Sequence, residues 1–222
     1  MKEKTYDYEQ EKFQFQKLFE HLFRTKDLQK LHLKKEEKYD LFTAPGNDSD
    51  TIYHKIFYDK MRSGWPEFLS TYKKFIKEFI APQIQARKSI IYQRWPSFRV
   101  HLPENVAVGG WHCDGDYNHP PGEMNFILAL TPMFESNTTI LESSPGKRDF
   151  HQLELKPGQV FYFNGNQCMH GNLPNRTNVT RVSFDFRVLL PEDYDKSYQL
   201  TSLSKNNKFL IGEYYEIMEL GE

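Results

Sequence analysis

The chain has 222 residues, which fits a single β-rich domain with additions better than two separate domains. Its 29 basic and 30 acidic residues give a formal charge of −1, so the composition offers no general attraction to nucleic acid or to an anionic membrane. Two cysteines are too few for a disulfide scaffold, and no stretch approaches the roughly 18 apolar residues of a membrane span. We therefore expect a cytoplasmic protein that has neither nucleic acid nor a membrane as a partner.

Residues 1–88 are predicted to be mainly helical and to support the rest of the chain. Apolar residues at helical spacing predict one amphipathic helix, formed around Phe15, Leu18, Phe19, Leu22 and Phe23. A second helix is expected to begin at Pro66, because proline favours the first turn of a helix, and to end before Pro82. Residues 44–50 have the composition of a loop.

The pattern changes near Ser89 to short strands separated by turn sequences. The predicted strands span residues 89–93, 98–102, 105–112, 124–131, 137–143, 152–156, 159–165, 169–172 and 180–190. Their spacing predicts a mainly β fold with N-terminal helices, in which residues 89–190 form a sandwich or a jelly roll. We expect the jelly roll, a cupin-like double-stranded β-helix. Residues 191–222 are expected to be a C-terminal tail that docks on this core, so that residues 1–222 form one domain.

His112 and Asp114, in the sequence WHCDGD, are candidate metal ligands. On an extended strand alternate side chains share a face, so this imidazole and this carboxylate should point to the same side. His170 would add a second imidazole from a strand facing the first across a barrel. Two histidines and one carboxylate on one face of a metal form the facial triad of non-haem Fe(II) oxygenases. A His-x-Asp pair taken alone has a plain alternative, a surface turn without metal.

The last predicted strand, RVSFDFR, alternates between a polar and an apolar face, and the apolar face should pack on the helices or on another sheet. Its polar face carries Arg181, Ser183, Asp185 and Arg187. A guanidinium without a partner in a barrel interior is costly, whereas a dicarboxylic acid could pair with it bidentately. Arg181 and Ser183 are therefore predicted to bind a dicarboxylic cosubstrate near His170.

Three further polar residues are weaker candidates. Asn125 is predicted to hydrogen-bond cosubstrate or substrate, and a buried structural amide is the alternative. Arg99 and Asn172 are candidate substrate contacts, with a polar strand face and a turn residue as their respective alternatives. His101 alternates with Arg99 and is expected to line the mouth of the site with it.

Loops are expected to choose the substrate. The polar, Pro- and Gly-rich segments 115–122 and 143–150 should flank the open side of the metal. Residues 39–58 are a further place where we expect substrate contacts or a lid.

His-Cys-Asp at residues 112–114, His170 and Arg181-x-Ser183 together resemble the Fe(II)/2-oxoglutarate-dependent oxygenases. Residues 111–190 are similar to the StrG-like oxygenases of streptomycin biosynthesis, through WHCDGDYNHPPGEMNF, TTILESSPGKRDF, GNQCMHGN and TRVSFDFRV. The resemblance implies that His112, Asp114 and His170 bind Fe(II). It also implies that Arg181, assisted by Ser183, pairs with the C5 carboxylate of 2-oxoglutarate.

The resemblance further implies an oxidoreductase, a dioxygenase that uses Fe(II), 2-oxoglutarate and O2 to hydroxylate an unactivated C–H of a small polar metabolite, releasing succinate and CO2. Because halogenases of this class lack the carboxylate ligand, Asp114 disfavours halogenation. The alternatives are a cupin-type metal enzyme without 2-oxoglutarate, in which Arg181 and Ser183 would have no role, a peptide or protein hydroxylase, and a non-catalytic binding module. The sequence leaves the identity of the substrate and the oligomeric state open.

Overall fold

A computed structural model of the protein describes residues 2–34, 51–107, 110–203 and 206–221. The loop predicted at residues 44–50 lies outside these ranges, as do residues 39–50 of the segment expected to contact substrate. Within the described ranges, no helix combines the length and the apolar character that crossing a membrane requires.

Helices lie in the N-terminal part of the chain: α1 (Phe15–Leu22), α2 (Ile52–Arg62), α3 (Pro66–Phe75) and the short α4 (Ala81–Gln83). A π-helical turn, Ile76–Ile80, joins α3 to α4. The expectation that the helix ends before Pro82 is therefore wrong. Pro82 sits in the first turn of α4, where the N–H that proline lacks is not needed.

Helix α2 was not predicted, although the sequence carries a signal for it. Tyr53, Phe57 and Met61 recur every four residues and are all buried. The Thr51 side chain caps the helix by accepting the backbone N–H of His54. Tyr53 and Phe57 lie in the aromatic core, and none of residues 51–58 lines the pocket described below, contrary to the expectation for this part of the segment.

The strands are β1 (Lys4–Asp7), β2 (Ser89–Gln93), β3 (Ser97–His101), β4 (Met124–Ala129), β5 (Thr139–Leu141), β6 (His151–Gln152), β7 (Gln159–Phe163), β8 (His170–Asn172), β9 (Arg181–Leu189) and β10 (Tyr215–Glu219). All their pairings are antiparallel. The larger sheet has the order β1-β7-β4-β9-β2-β10, with β3 also paired to β9, and the smaller sheet has the order β6-β5-β8. The prediction of a mainly β fold with N-terminal helices is confirmed.

Two strands lie where none was expected. β1 pairs with β7, and β10 in the tail pairs with the whole of β2, from Tyr215 opposite Gln93 to Glu219 opposite Ser89. By contrast, the strand predicted over residues 105–112 does not form in its described part. Only His112 forms a bridge, with His170, because the preceding residues turn to cover the end of β3.

Strand β9 is the centre of the larger sheet, and all nine of its residues are buried. β4 pairs with it on one side, and β2 and β3 pair with it on the other. Its apolar face packs on the helices, as predicted. The ring of Phe184 lies 5.2 Å from that of Phe15 and 5.9 Å from that of Phe68, and the Phe186 ring lies 5.6 Å from that of Tyr72.

The smaller sheet lies against the opposite, polar face of β9. Ile127 and Phe161 of the larger sheet share an apolar cluster with Leu141 of β5 and with Leu153 and Leu155 near β6. This cluster closes one end of the space between the two sheets. The polar side chains of β9 therefore face an enclosed gap rather than bulk water.

Replacing Phe184 with alanine should lower the free energy of unfolding by about 3–5 kcal/mol, the usual result when a fully buried phenylalanine is truncated. Leu33, which is 61% exposed, is the control, and its alanine variant should change stability by no more than about 0.5 kcal/mol. Urea unfolding measures both. A Phe184→Ala loss no larger than that of Leu33→Ala would mean that the aromatic core does not anchor β9.

Candidate metal centre

His112, Asp114 and His170 come together at the edge of the gap, with one donor atom of each within 4.8 Å of the others. Nε2 of His112 lies 3.6 Å and Nε2 of His170 lies 3.7 Å from Oδ1 of Asp114. The main chain builds this cluster directly. His112 and His170 exchange two backbone hydrogen bonds, of 3.0 and 2.9 Å, and Asp114 opens a short 3-10 turn, Asp114–Tyr117.

Backbone carbonyls fix the orientation of both imidazoles. Nδ1 of His112 lies 3.1 Å from the carbonyl oxygen of Gly110, and Nδ1 of His170 lies 2.9 Å from that of Cys168. Because a carbonyl can only accept a hydrogen bond, each Nδ1 carries the proton and each Nε2 keeps a lone pair for a metal. Burial also lowers the pKa of His170, which favours the neutral form that a metal requires.

The Asp114 carboxylate is held through one oxygen only. Its Oδ2 accepts hydrogen bonds from Nδ2 of Asn125 at 2.6 Å and from Nη2 of Arg187 at 2.7 Å. Burial alone would raise the pKa of this carboxyl, but the Arg187 guanidinium holds the pKa well below its ordinary value. The carboxylate is therefore ionised, with Oδ1 turned toward the two imidazoles.

These donors fit a divalent first-row metal. Two neutral imidazole nitrogens and one carboxylate oxygen are a ligand set that suits Fe(II). The separations of 3.6 and 3.7 Å allow each pair of atoms to reach one metal at about 2.1 Å from each donor. All three ligands approach from one side, so the positions that face the gap remain for other groups.

A pocket that is partly open to solvent extends from the three ligands along the polar face of β9. The eight residues predicted from the sequence to form the site all line it: Arg99, His112, Asp114, Asn125, His170, Asn172, Arg181 and Ser183. Asp185 and Arg187 line the same pocket, as do Ile127, Thr139 and Phe163. The whole polar face of β9 is therefore part of one pocket.

Arg181 lies at the end of this pocket and is 2% exposed. Its guanidinium donates from Nη1 to Oγ of Ser183 at 2.9 Å and from Nη2 to Oδ1 of Asn172 at 3.0 Å. Its Nε donates to the carbonyl oxygen of Asn137 at 3.1 Å. These three acceptors hold the guanidinium at the wall of the pocket.

Comparison with known proteins assigns the family. No family model matches the chain. The streptomycin biosynthesis protein StrG of Streptomyces griseus is 34% identical to it over 169 residues, which are 76% of this chain and 77% of StrG. The chain belongs to the StrG family. The resemblance to StrG-like oxygenases predicted from the sequence is confirmed.

Two solved structures share the fold of this StrG-family protein. The non-haem, α-ketoglutarate-dependent carbocyclase SnoK from nogalamycin biosynthesis aligns with a TM-score of 0.52 and 11% identity, covering 85% of this chain and 79% of SnoK. The apo form of the non-haem monooxygenase ThoJ aligns with a TM-score of 0.51 and 12% identity, covering 89% of this chain and 76% of ThoJ. These likenesses show the fold. The His-Asp-His set is the ligand set that suits the predicted Fe(II).

The weaker candidates Arg99, Asn125 and Asn172 make different contacts in the structure. Arg99 faces the pocket and its Nε donates to Oδ1 of Asp185 at 2.8 Å. The amide of Asn125 holds the Asp114 carboxylate, and Asn172 holds Arg181, so both orient other site residues. Arg187 was placed on the polar face by the alternation of β9, but its contact with Asp114 was missed.

His101 does not line the mouth of the pocket, which corrects the expectation from the sequence. It is fully buried, and its ring nitrogens contact the carbonyl oxygens of Asn105 at 2.8 Å and Asn137 at 3.2 Å. The chain segments that carry these two carbonyls cover it. Burial, with the nearby positive charge of Arg181, lowers the pKa of His101 to about 3.

The loop of residues 115–122 is fastened at several points. Nδ2 of Asn166 donates to the carbonyl oxygens of His119 at 2.9 Å and Pro120 at 3.0 Å. On the other side, Asn118 donates to the Thr201 carbonyl at 3.0 Å and accepts from the Tyr198 hydroxyl at 3.0 Å. These contacts favour a fixed rim over a moving lid.

Exposed aromatic side chains lie next to the metal ligand His112. Trp111 and Phe150 are both 43% exposed and their rings lie 4.9 Å apart, while the ring of Tyr117 lies 5.0 Å from that of the metal ligand His112. Glu142 lies just before the segment of residues 143–150, and its carboxylate accepts hydrogen bonds from the backbone N–H groups of Gly146 and Arg148. The carboxylate thus shapes the loop that ends at Phe150, whose ring packs against Trp111.

Replacing His101 with glutamine should lower the stability at pH 7, because the buried ring and its one hydrogen bond to a carbonyl oxygen are lost. In the wild type, the unfolded chain takes up a proton at His101 near pH 6.5, whereas the folded chain does so only near pH 3. The contribution of His101 to the unfolding free energy of the wild type therefore falls as the pH drops from about 6.5 to about 3. The gap between wild type and variant should shrink toward pH 4 by up to about 1.4 kcal/mol per pH unit.

Urea unfolding at pH 7, 6, 5 and 4 measures this gap. A difference in unfolding free energy that stays constant across these pH values would contradict the burial of a neutral His101.

Proposed function

We propose that this StrG-family protein is a non-haem Fe(II)/2-oxoglutarate-dependent dioxygenase that hydroxylates an unactivated C–H of a small polar metabolite. One oxygen atom of O2 would enter the product and the other would enter succinate, with release of CO2 from 2-oxoglutarate. The observation that carries the proposal is the presence of His112, Asp114 and His170 in the same pocket as Arg181 and Ser183.

The metal-binding part rests on three oriented donors. His112, His170 and Asp114 would hold Fe(II) through Nε2, Nε2 and Oδ1, the atoms that their hydrogen bonds leave available. Bound there, Fe(II) would supply the activation of O2 that oxidation of an unactivated C–H requires. The coordination positions that the three ligands leave open would face the pocket.

The cosubstrate part rests on the far end of the pocket. Arg181 would pair with the C5 carboxylate of 2-oxoglutarate, and the hydroxyl of Ser183, already 2.9 Å from Nη1, would add a hydrogen bond. Asn172 would keep the guanidinium in place through its contact with Nη2. A cupin-type enzyme without 2-oxoglutarate would have no use for this buried cation, so Arg181 favours the oxygenase.

We propose the finer fold on the same grounds. Residues 89–190 would be a double-stranded β-helix, supported by residues 1–88 and by a docked tail of residues 191–222, all within one domain. The two facing antiparallel sheets with the ligands between them support this assignment. The pairing of β10 with β2 supports the docking of the tail.

The substrate would enter past the aromatic rim of Trp111, Tyr117 and Phe150. Arg99 and Asp185 on the pocket wall offer one positive and one negative group, which suits a polar molecule. The product separates the outcomes, because hydroxylation adds an oxygen atom whereas ring closure or desaturation removes two hydrogens. A peptide substrate remains the second reading of the same site, and a metabolite and peptide screen that follows succinate distinguishes the two.

Anaerobic mixing of the full-length protein with Fe(II) and 2-oxoglutarate should give a weak visible charge-transfer band. The band requires the cosubstrate to chelate the metal through its 2-oxo acid group. A band that forms equally well without 2-oxoglutarate, or that never forms, would refute the proposal.

The Arg181→Gln variant should require at least about tenfold more 2-oxoglutarate to reach half of the band intensity, because a charge-assisted bidentate contact contributes roughly 1.5–3 kcal/mol. Its affinity for the metal alone should stay within about twofold of wild type. The control is Arg176→Gln, which removes an exposed arginine paired with Glu104 and should leave both constants unchanged. Equal losses of metal and cosubstrate affinity in Arg181→Gln would mean that Arg181 only supports the fold.

A further inference from the structure

The two oxygens of the Asp114 carboxylate have different surroundings. Oδ1 faces Nε2 of His112 and of His170, at 3.6 and 3.7 Å. Oδ2 turns away and accepts from Arg187 at 2.7 Å and from Asn125 at 2.6 Å. With two strong donors on Oδ2, rotation of the carboxylate toward the metal would break both hydrogen bonds.

Arg187 is itself held on the side away from Asp114. Its Nη1 donates to Oδ2 of Asp185 at 2.7 Å, and the other oxygen of Asp185 accepts from Arg99 at 2.8 Å. Arg99, Asp185, Arg187 and Asp114 thus form a row of alternating charge that balances to zero. Because the Arg187 guanidinium is hydrogen-bonded to the carboxylates of both Asp185 and Asp114, its Nη2 is a fixed donor to Oδ2 of Asp114.

Strand register places this donor beside the second one. Asn125 of β4 lies directly opposite Arg187 of β9. Neighbouring residues on paired strands share a face, so both side chains reach the same carboxylate oxygen. Arg181 lies six residues earlier on the same face, about 20 Å away along an extended strand. The two buried arginines of β9 therefore act at opposite ends of the pocket.

Carboxylates bind metals through one oxygen or through both. An octahedral metal with two imidazoles and a one-oxygen carboxylate keeps three positions, enough for a chelating 2-oxo acid and for O2. If Asp114 bound through both oxygens, one of those three positions would be lost.

We propose that Arg187 is a positioning residue of the metal centre, which together with Asn125 keeps Asp114 a one-oxygen ligand and so preserves the third open position. The use of the third position by a cosubstrate or O2 rests on the proposed function. The effect of Arg187 on metal binding rests only on the three ligands His112, Asp114 and His170. The two arginines of β9 thus have separate tasks, Arg187 at the metal carboxylate and Arg181 at the cosubstrate.

The test uses Co(II), which occupies such sites without reacting with 2-oxoglutarate, and the full-length chain. Arg187→Gln should weaken Co(II) binding about 10- to 100-fold, the usual effect of removing a group that orients a metal ligand. It should also change the Co(II) ligand-field absorption, because the released Oδ2 joins the coordination sphere. Arg187→Lys, which keeps the charge, should recover part of the affinity and of the wild-type spectrum, whereas Arg176→Gln should match wild type in both.

Two results overturn the inference. The first is an Arg187→Gln protein that binds Co(II) with wild-type affinity and spectrum. The second comes from a different variant, because Arg187→Gln removes one partner of a buried ion pair and is expected to be strongly destabilising. Asn125→Ala removes the other donor to Oδ2 without exposing a charge, and an unchanged Co(II) spectrum in that folded variant would also overturn the inference.

The outcome is separable from that of the proposed function. Co(II) binding is measured without 2-oxoglutarate, so it reports on Asp114 even if the wild type gives no charge-transfer band. Conversely, a normal band in wild type with unaltered Co(II) binding in Arg187→Gln would retain the oxygenase and remove only the role of Arg187.

Discussion

The burial of charge on strand β9 is the constraint on which the rest of the structure depends. All nine residues of the strand are buried, yet four of them are polar and three carry charge. Removing a charged group from water costs several kcal/mol unless partners replace the water. Arg187 meets this requirement with two carboxylates, and Arg181 donates hydrogen bonds to the side-chain oxygens of Ser183 and Asn172.

The apolar face of the same strand makes that arrangement rigid. Phe184 and Phe186 are packed among aromatic rings from the N-terminal helices, so the backbone that carries Arg181 and Arg187 has little freedom to shift. The smaller sheet then brings His170, and His112 through its bridge, over the polar face. The ligand orientation is built into hydrogen bonds within the protein, which prepares the site for a metal.

Much of the site could be predicted because its signals are local. Alternation along β9 placed Arg181 and Ser183 on one face, and that depends only on the two-residue repeat of a strand. The same rule aligned His112 with Asp114, although in the structure a single bridge and a 3-10 turn bring them together instead of a strand.

What could not be predicted depends on contacts between distant parts of the chain. The role of Arg187 requires knowing that Asn125 lies opposite it across the β4–β9 pair. The burial of His101 depends on segments near residues 105 and 137 folding over it. β1 and β10 are short edge strands whose partners lie more than a hundred residues away, so their own sequences carry little of the signal.

The central claim is that one pocket couples O2 consumption to the breakdown of 2-oxoglutarate. The most direct test supplies Fe(II), 2-oxoglutarate and O2 to the full-length protein, follows oxygen uptake and succinate together, and uses His170→Ala as the reference. Ascorbate is added to supply the two electrons that the second oxygen atom of O2 requires when no substrate is present. The account predicts slow turnover even without the native substrate, with succinate equal to the O2 consumed above background and neither above background in the variant. Succinate formation no greater in wild type than in His170→Ala would contradict it.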